Sequence, residues 1–268
     1  MTDTPVQQAE SVLRKKAGGD FEIALVLGSG LGALAEQIDD AIHIPYSDIP
    51  GFPVLGVSSH AGELIAGKMG GRKILLFAGR VHFYENGDAT AMALPIDVAK
   101  ALGCHSLILT NAAGSLDTNM PPGEIALISD HINFSGLNPL IGYEGDERFV
   151  DLSHAYDPDY CALAQNLAGQ LDVALKPSIY MWFSGPSFET PAEVRAAGIL
   201  GADLVGMSTV PEVIIARHRG LRVAAFSVVT NFAAGKSGDD LNHGDIKLLA
   251  AEGAAKLIRL LPPFLKDM

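Results

Sequence analysis

The chain has 268 residues, of which 48% are hydrophobic, and a formal net charge of −12. A chain of this length can bury a core without disulfide bonds. The negative charge disfavours nucleic acid and anionic membrane surfaces as partners. The two cysteines, Cys104 and Cys161, indicate a reducing compartment. The polar start lacks a signal-peptide core and no apolar run is long enough to span a membrane, so we expect a cytoplasmic protein with no membrane partner.

Short apolar runs predict buried strands, and helical patterns fall between many of them. In chain order, the predicted strands are residues 23–27, 64–67, 73–77, 106–110, 125–128, 204–207 and 223–229. The predicted helices are residues 89–102, 160–171, 190–201, 208–218 and 248–261, the last ending before two prolines. This alternation predicts an α/β fold with a mostly parallel or mixed sheet and helices on both faces. Because no repeat or linker divides the chain, we expect one domain over residues 1–268.

Glycine and polar residues stand at the predicted strand ends, which is where ligands bind in open α/β sheets. These segments are residues 28–32, 79–85, 111–116, 184–189, 207–209 and 230–235. Their coincidence at so many ends predicts a ligand site more strongly than any one of them does. Residues 133–158 form the longest stretch without clear periodicity, which is typical of a functional or interface loop.

The first of these segments, GSGLG at residues 28–32, follows a predicted strand and opens a predicted helix. Its glycines let the backbone approach an anion and Ser29 adds a hydroxyl, so phosphate binding is one interpretation. Gly28, Gly30 and Ala33 also fit a dinucleotide pattern with Asp48 as its acid. Asp48 lies in a proline-rich loop instead of at a second strand end, which argues against that site. A purely structural turn is the third interpretation.

The segment at residues 79–85 is predicted to place Arg80, His82 and Tyr84 on one face by alternation. An arginine can hold an oxyanion through two hydrogen bonds, and a neighbouring histidine can add a donor. The alternative is a surface strand with an Arg–Glu pair. His60 lies in a glycine-flanked loop, where it can approach the same anion or simply be solvated.

Glu189 and Ser208 stand at the mouths of two consecutive predicted helices. Residues 190–193 form a capping box with proline at the first helical position, and residues 208–212 open the next helix in the same manner. A serine at such a helix start favours an anion because backbone amides and the helix dipole attract negative charge. The pair predicts a substrate with a hydrogen-bond donor at one end and an anionic partner at the other.

Two more strand ends carry candidate binding residues. The small residues at 110–114 admit a planar ligand or a sugar, or else pack a tight crossover. Asn231 offers both a donor and an acceptor, although an asparagine there more often caps the next helix. His243 can likewise be a cap or a surface group. No C-x-x-C, H-E-x-x-H or paired-histidine spacing occurs, so no metal site is predicted.

In this order the motifs LVLGSGLG, GRVHFYE, TNAAGSL, SGPSFETPAE, GADLVGMSTVPEVIIARH and TNFAAG resemble those of the trimeric purine nucleoside phosphorylases. The resemblance covers about residues 20–262, and GPSFET with GMSTVPE is its specific part. It implies a single α/β domain whose mixed sheet is partly closed into a barrel. It also implies phosphate-dependent cleavage of purine ribonucleosides to the free base and ribose 1-phosphate, with no metal or organic cofactor.

The resemblance also assigns roles to residues of this sequence. The implied phosphate site is Ser29, His60, Arg80, His82, the Ala112 amide and Ser208. The implied purine site is Glu189 and Asn231, with Phe188, Val205 and Met207 as apolar walls. The implied ribose contacts are Tyr84, Met207 and His243, with Tyr180 near the pocket. Asn231, Glu189 and His82 are the implied catalytic groups.

Asn231 bears on the substrate, because the related methylthioadenosine phosphorylases have an aspartate at this position. An asparagine implies 6-oxopurine nucleosides, namely inosine, guanosine and their deoxy forms, and a role in purine salvage. The alternatives are a methylthioadenosine phosphorylase and a non-catalytic nucleoside- or dinucleotide-binding protein. The resemblance further implies a homotrimer in which a phenylalanine covers the neighbouring subunit's sugar, and Phe149 is the candidate. Phe232 is a departure from the residues common in the family.

Overall fold

The described residues form one nine-stranded sheet that closes on itself over part of its width. The computed structural model describes residues 3–53, 62–236 and 243–268, with the backbone alone for residues 243–249. The strands are β1 (Ile23–Val26), β2 (Asp39–Pro45), β3 (Glu63–Met69), β4 (Arg72–Ala78), β5 (Ser106–Ser115), β6 (Ile125–Asn133), β7 (Leu175–Trp182), β8 (Leu204–Gly206) and β9 (Arg222–Phe232). Their order is β2-β3-β4-β1-β5-β8-β7-β6-β9, and β5 also pairs with β9. The last five strands therefore form a closed barrel, which confirms the expected architecture.

Helices cover both faces of this mixed sheet, as predicted. They are α1 (Pro5–Ala17), α2 (Phe83–Asn86), α3 (Ala93–Ala101), α4 (Pro158–Gln170), α5 (Pro191–Ile199), α6 (Val210–His218) and α7 (His243–Asp267). Because side chains alternate along a strand, Ala24 and Val26 of β1 pack with α1, α3 and α6, whereas Ile23 and Leu25 pack with α4 and α7. No helix in the described ranges is both long and apolar enough to cross a membrane.

Several elements differ from the sequence prediction. Strand β2 was not predicted because it is an edge strand in which Ile44 is the one buried residue. Strand β7 begins with exposed residues around Pro177, and α1 buries only Ala9 and Leu13, so neither shows a clear apolar pattern. Helix α3 begins at Ala93 instead of residue 89.

Helix α7 continues through Pro262 and Pro263 to Asp267, so the predicted end before these prolines is wrong. Proline removes a helical hydrogen bond, which normally ends a helix. Here Phe264 and Leu265 are completely buried in the core beneath the sheet. Their burial stabilises the last turn enough to outweigh the missing bonds.

Hydrogen bonds through the Thr110 hydroxyl join the ends of β1 and β5, which pack closely there. The Gly28 N–H donates to Thr110 Oγ1 at 3.0 Å, and the same hydroxyl donates to the Val26 carbonyl at 3.0 Å. A Cβ on Gly28 would lie 2.6 Å from the Asn111 Cα, which leaves no room for a side chain. Glycine at position 28 is therefore required by packing against the neighbouring strand.

We predict that Gly28→Ala destabilises the fold, because the added methyl must push two backbones apart. Overpacking of this kind costs about 1–3 kcal/mol, and each kcal/mol lowers the Tm of a domain of this size by about 2–4 °C. The matched control is Gly32→Ala, because nothing lies within 4 Å of a Cβ at Gly32. Thermal unfolding of both variants tests this, and equal Tm values would contradict it.

Candidate active site

A cavity of about 650 Å³ opens at the carboxyl ends of β1, β5 and β9, beside β8. Its volume is typical of a small-molecule site. The residues predicted from sequence that line it are Ser29, Arg80, His82, Tyr84, Ala112, Phe188, Glu189, Val205, Met207, Ser208 and Asn231. Strand-end residues far apart in the chain thus meet around one space.

Of the other predicted site residues, the structure describes only the side chain of Tyr180, which does not line this cavity. Tyr180 is completely buried behind it, and the Tyr180 hydroxyl accepts a hydrogen bond from the Ser208 N–H at 3.2 Å. The expectation that Tyr180 contacts the ribose is therefore wrong. Tyr180 supports Ser208 from behind the cavity wall instead. His60 lies outside the described residues. His243 is the first residue of α7, and its side chain also lies outside them.

The GSGLG segment leads into a 3-10 helix, Gly32–Gln37, instead of the α-helix that the dinucleotide pattern requires. Asp48, the acid of that pattern, pairs at the surface with Lys16 at 2.7 Å. The dinucleotide interpretation is therefore wrong. Gly28, Ser29 and Gly30 nevertheless line the cavity, as the phosphate interpretation expects.

Arg80 lies beneath the cavity and is almost completely buried. Its Nη1 donates to Glu212 Oε1 at 2.9 Å and to Thr209 Oγ1 at 3.2 Å, and its Nη2 donates to the Thr110 carbonyl. The side chains of Arg80 and Glu212 are only 1% and 4% exposed. The alternative of a surface strand with an Arg–Glu pair is therefore wrong. Arg80, His82 and Tyr84 do line one cavity, as predicted, but not through strand alternation, because β4 ends at Ala78 and α2 begins at Phe83.

His82 is held against the cavity wall by two neighbours. Its Nδ1 lies 3.1 Å from Glu85 Oε1, which also accepts the His82 backbone N–H at 2.7 Å. The imidazole ring stacks on the Tyr84 ring at a centroid distance of 4.8 Å. The carboxylate therefore fixes the orientation of the ring that faces the ligand space.

The start of α6 is built differently from the predicted capping box. Its N-cap is Thr209, whose side chain makes no capping bond, and Glu212 pairs with Arg80 instead. Thr209 has φ 74° and ψ −52°, and the Val210 N–H donates to the Ser208 carbonyl at 2.8 Å. These values describe a strained three-residue γ-turn. It places Ser208 at the cavity and Thr209 directly behind it.

Several residues that contribute to the site were not recognised as such from the sequence. Asn111 lines the cavity and its Nδ2 donates to Thr209 Oγ1 at 2.8 Å. Thr209 and Glu212 resemble ordinary helix-start residues in sequence, so their contacts with Arg80 had no local signal. Thr230 also lines the cavity, and its position at a strand end beside Asn231 was the available clue.

Glu189 presents an unsatisfied acceptor to the same cavity. Its Oε1 is buried and has no hydrogen-bond partner within the described part of the chain. Burial raises the pKa of this carboxyl above its ordinary value. Phe188 beside it is 58% exposed at the cavity mouth, whereas Val205 is buried in the wall. A ligand N–H donor would satisfy the Glu189 oxygen.

The Asn231 amide is fixed in one orientation. Its Oδ1 accepts from the Thr230 hydroxyl at 2.9 Å, and its Nδ2 donates to the Phe232 carbonyl at 3.0 Å. A reversed amide would place two oxygens face to face at Phe232. A Cβ on Gly114 would lie 3.1 Å from Asn231 Nδ2, so the glycine leaves room for the amide. The second N–H and one lone pair of Asn231 remain for a ligand.

Two sets of residues that line the cavity differ in chemistry. Arg80, His82 and Ser208 suit an oxyanion, while Glu189 and Asn231 offer acceptors and a donor. Met207 contributes an apolar surface to the same cavity. Within the described ranges, no three His, Cys, Asp or Glu side chains are grouped as a metal ion would require.

Known proteins share this architecture. Residues 22–266 match the family model described as Phosphorylase superfamily. The chain is 42% identical over 271 residues to purine nucleoside phosphorylase 1 of Geobacillus stearothermophilus, covering 100% of this chain and 99% of that protein.

Solved structures agree. Isoform 2 of purine nucleoside phosphorylase from Schistosoma mansoni, in complex with cytosine and ribose-1-phosphate, superposes with a TM-score of 0.92 at 38% identity over 99% of both chains. A Schistosoma mansoni purine nucleoside phosphorylase in complex with inosine gives a TM-score of 0.91 at 36% identity, covering 98% of this chain and 96% of that chain. The chain therefore belongs to the phosphorylase superfamily and, within it, to the purine nucleoside phosphorylases.

Proposed function

We propose that this purine nucleoside phosphorylase acts on 6-oxopurine ribonucleosides and deoxyribonucleosides, with inosine and guanosine as its substrates. The products would be the free base and ribose 1-phosphate or deoxyribose 1-phosphate, which suits a role in purine salvage. The observation that carries the base preference is the fixed Asn231 amide together with the unsatisfied Glu189 oxygen. Schistosoma relatives are solved in complex with inosine and in complex with adenosine, so the base preference rests on these two side chains.

The hydrogen-bonding groups of a 6-oxopurine complement those of the cavity. The base carries an N–H donor at N1 and acceptors at O6 and N7. Glu189 would accept the N1 proton, and the free Asn231 N–H would donate to O6 or N7. A 6-aminopurine has an acceptor at N1 and a donor at position 6, so it would leave the buried Glu189 oxygen without a donor. An unsatisfied buried polar group costs about 1–3 kcal/mol.

The residues that suit an oxyanion would hold the attacking phosphate at one end of the cavity. Arg80, Ser29, Ser208, the Ala112 amide and His82 would bind its oxygens, with His60 as a further contact. The ribose would lie between the phosphate and the base, against Tyr84 and Met207, with His243 as a further contact and Tyr180 supporting Ser208 from behind. A Cβ on Gly185 would lie 2.6 Å from Met207 Sδ and 2.8 Å from Tyr84 Cδ1, so this glycine permits the close packing of both side chains.

This placement leads to a mechanism without a covalent enzyme intermediate. The bond between C1′ and the base breaks first, and its electron pair stays on the purine while the sugar gains oxocarbenium character. Asn231 would stabilise the negative charge that develops on the base. Phosphate would then form its bond to C1′ from the opposite face, where its own charge stabilises the cation. Holding both reactants in line provides much of the remaining acceleration.

We further propose that the enzyme is a cytoplasmic homotrimer that uses inorganic phosphate as co-substrate and no metal or organic cofactor. Phe149 is 74% exposed and Ile141 is 75% exposed, in the long loop before α4. The Arg148 guanidinium lies 5.0 Å from the centre of the Phe149 ring. This presented aromatic supports the proposal that Phe149 covers the sugar of a neighbouring subunit.

The direct test is the initial rate of hypoxanthine release from inosine, with and without phosphate. We predict a rate that saturates with phosphate and one ribose 1-phosphate formed per hypoxanthine. Sulfate is the matched control, because it has a similar shape but does not form the sugar phosphate. Folded protein that releases no hypoxanthine at saturating phosphate would refute the proposal. Faster cleavage of methylthioadenosine than of guanosine would favour the methylthioadenosine phosphorylase instead.

Asn231→Asp should change the preferred base, because a carboxylate cannot donate to O6 but can accept from a 6-amino group. We expect the ratio of kcat/KM for inosine to that for adenosine to fall by about tenfold or more. Asn166→Asp is the control, since Asn166 is exposed on α4. A variant at position 231 that keeps the wild-type ratio would count against the assignment of Asn231.

Glu189 should give base binding a pH dependence. Because burial raises its pKa, hypoxanthine affinity should decline as the pH falls through that raised value, and Glu189→Gln should bind hypoxanthine more weakly without this decline. The raised folded-state pKa means that the carboxyl's contribution to stability is full below its unfolded pKa of about 4.3 and is lost as pH rises through the folded value.

The ligand-free Glu189→Gln protein should therefore have an equal or higher Tm at pH 7. Calorimetry with hypoxanthine across pH, and thermal unfolding, provide the measurements. Glu252→Gln, at an exposed position of α7, is the control and should bind hypoxanthine as the wild type does. Loss of stability together with binding in Glu189→Gln would indicate a structural role instead.

A further inference from the structure

We propose that Thr209 is a positioning residue that commits the Ser208 hydroxyl to donate its proton to the bound phosphate. The inference rests on the proposed function, which places phosphate at the Arg80 end of the cavity. It goes further by assigning a role to a residue that does not line the cavity. Hydrogen-bond accounting, backbone geometry and burial all support it.

A hydroxyl group has two lone pairs and one proton, so it can accept two hydrogen bonds and donate one. Thr209 Oγ1 accepts from Arg80 Nη1 at 3.2 Å and from Asn111 Nδ2 at 2.8 Å. An arginine can only donate. Asn111 is placed with its nitrogen towards the hydroxyl and its Oδ1 without a partner in the described residues, so in this orientation both lone pairs of Thr209 are occupied. What remains is its proton.

Ser208 Oγ is the neighbour that can take this proton, at 3.1 Å from Thr209 Oγ1. With Thr209 as the donor in this pair, Ser208 is the acceptor and its own proton must point elsewhere. Ser208 lines the cavity, so that proton is available to an oxygen of the anion. An oxyanion offers acceptors, and a serine fixed as a donor complements it.

The backbone holds this arrangement at a conformational cost. Thr209 is β-branched, completely buried and at φ 74°, a region that such residues rarely occupy. Strained residues of this kind persist where surrounding contacts over-determine them, and they cluster at functional sites. The Ser208 N–H is held in turn by the Tyr180 hydroxyl at 3.2 Å. Ser208 is therefore constrained at both its amide and its hydroxyl.

Glu212 holds Arg80 in place and so completes the chain of hydrogen bonds behind Ser208. Its Oε1 accepts from the same Arg80 Nη1 that donates to Thr209, so the carboxylate fixes that nitrogen in place. Both side chains are buried, which makes this alignment insensitive to solvent. The order Glu212, Arg80, Thr209, Ser208 thus runs from the buried charge pair to the phosphate.

Thr209→Val and Thr209→Ser separate the hydroxyl from the shape of the side chain. Valine keeps the branch and removes the hydroxyl, whereas serine keeps the hydroxyl. With inorganic phosphate as the probe in calorimetry, we expect Thr209→Val to weaken binding by about tenfold or more and Thr209→Ser to stay within about threefold of wild type. In steady-state kinetics the KM for phosphate should rise in the valine variant, while the KM for inosine changes little.

Thr209→Gly keeps the test decisive if the valine variant does not fold, because glycine adopts a positive φ without strain. We expect this variant to fold, since relief of the backbone strain offsets part of the lost hydrogen bonds, and its phosphate affinity to fall as for valine. Wild-type phosphate affinity in the valine or glycine variant would overturn the inference, and so would an equal rise in both KM values.

The two proposals fail in different ways. Wild-type protein that binds phosphate but releases no hypoxanthine from inosine overturns the proposed function and leaves the role of Thr209 in phosphate binding. Wild-type protein that cleaves inosine, with a valine variant that binds phosphate normally, overturns the role of Thr209 alone. Wild-type protein that does not bind phosphate overturns both.

Discussion

The parallel pairing of β5 with β9 is the contact on which the rest of the structure depends. It closes the barrel, and its register shifts between Ala113 and Gly114, so that Gly114 lies beside Asn231. Buried apolar residues such as Ile108 and Val228 stabilise the two strands from below. Because both strands end at the same edge, polar groups from segments far apart in the chain surround one cavity. The chemistry is thus a consequence of how the sheet closes.

The phosphate end and the base end that we propose for this cavity are preorganised in opposite ways. At the phosphate end, Nη1 and Nη2 of Arg80 are hydrogen-bonded to the protein before any ligand arrives, and the strained turn at Thr209 holds Ser208 at the cavity. Burying an ion pair such as Arg80–Glu212 is favourable only when further hydrogen bonds satisfy it, which is the case here. At the base end, Glu189 is left with an unsatisfied buried oxygen. The strained turn and the unsatisfied oxygen therefore lower the stability of the ligand-free protein, and a ligand that pairs with that oxygen would recover part of this free energy.

The site residues that could be predicted from sequence are those whose signals are local. Ser29, Glu189 and Ser208 stand beside glycine turns and helix starts that any sequence reading finds. Glu212 was taken for a helix cap because its partner Arg80 lies 132 residues away, and the positive φ of Thr209 has no sequence signal at all. The alternation of strands and helices was visible, but barrel closure by β5 and β9 was expected only from family resemblance. Helix α7 passes its prolines because of burial, which a local pattern cannot show.

We propose that base and phosphate occupy opposite ends of one cavity, so that phosphate reaches the sugar from the face opposite the leaving base. The most direct measurement is the anomeric configuration of the sugar phosphate made from inosine, read by proton and phosphorus NMR before it equilibrates. The account predicts the α-anomer of ribose 1-phosphate, formed with inversion from the β-nucleoside. The β-anomer, or free ribose in place of the phosphate ester, would contradict it.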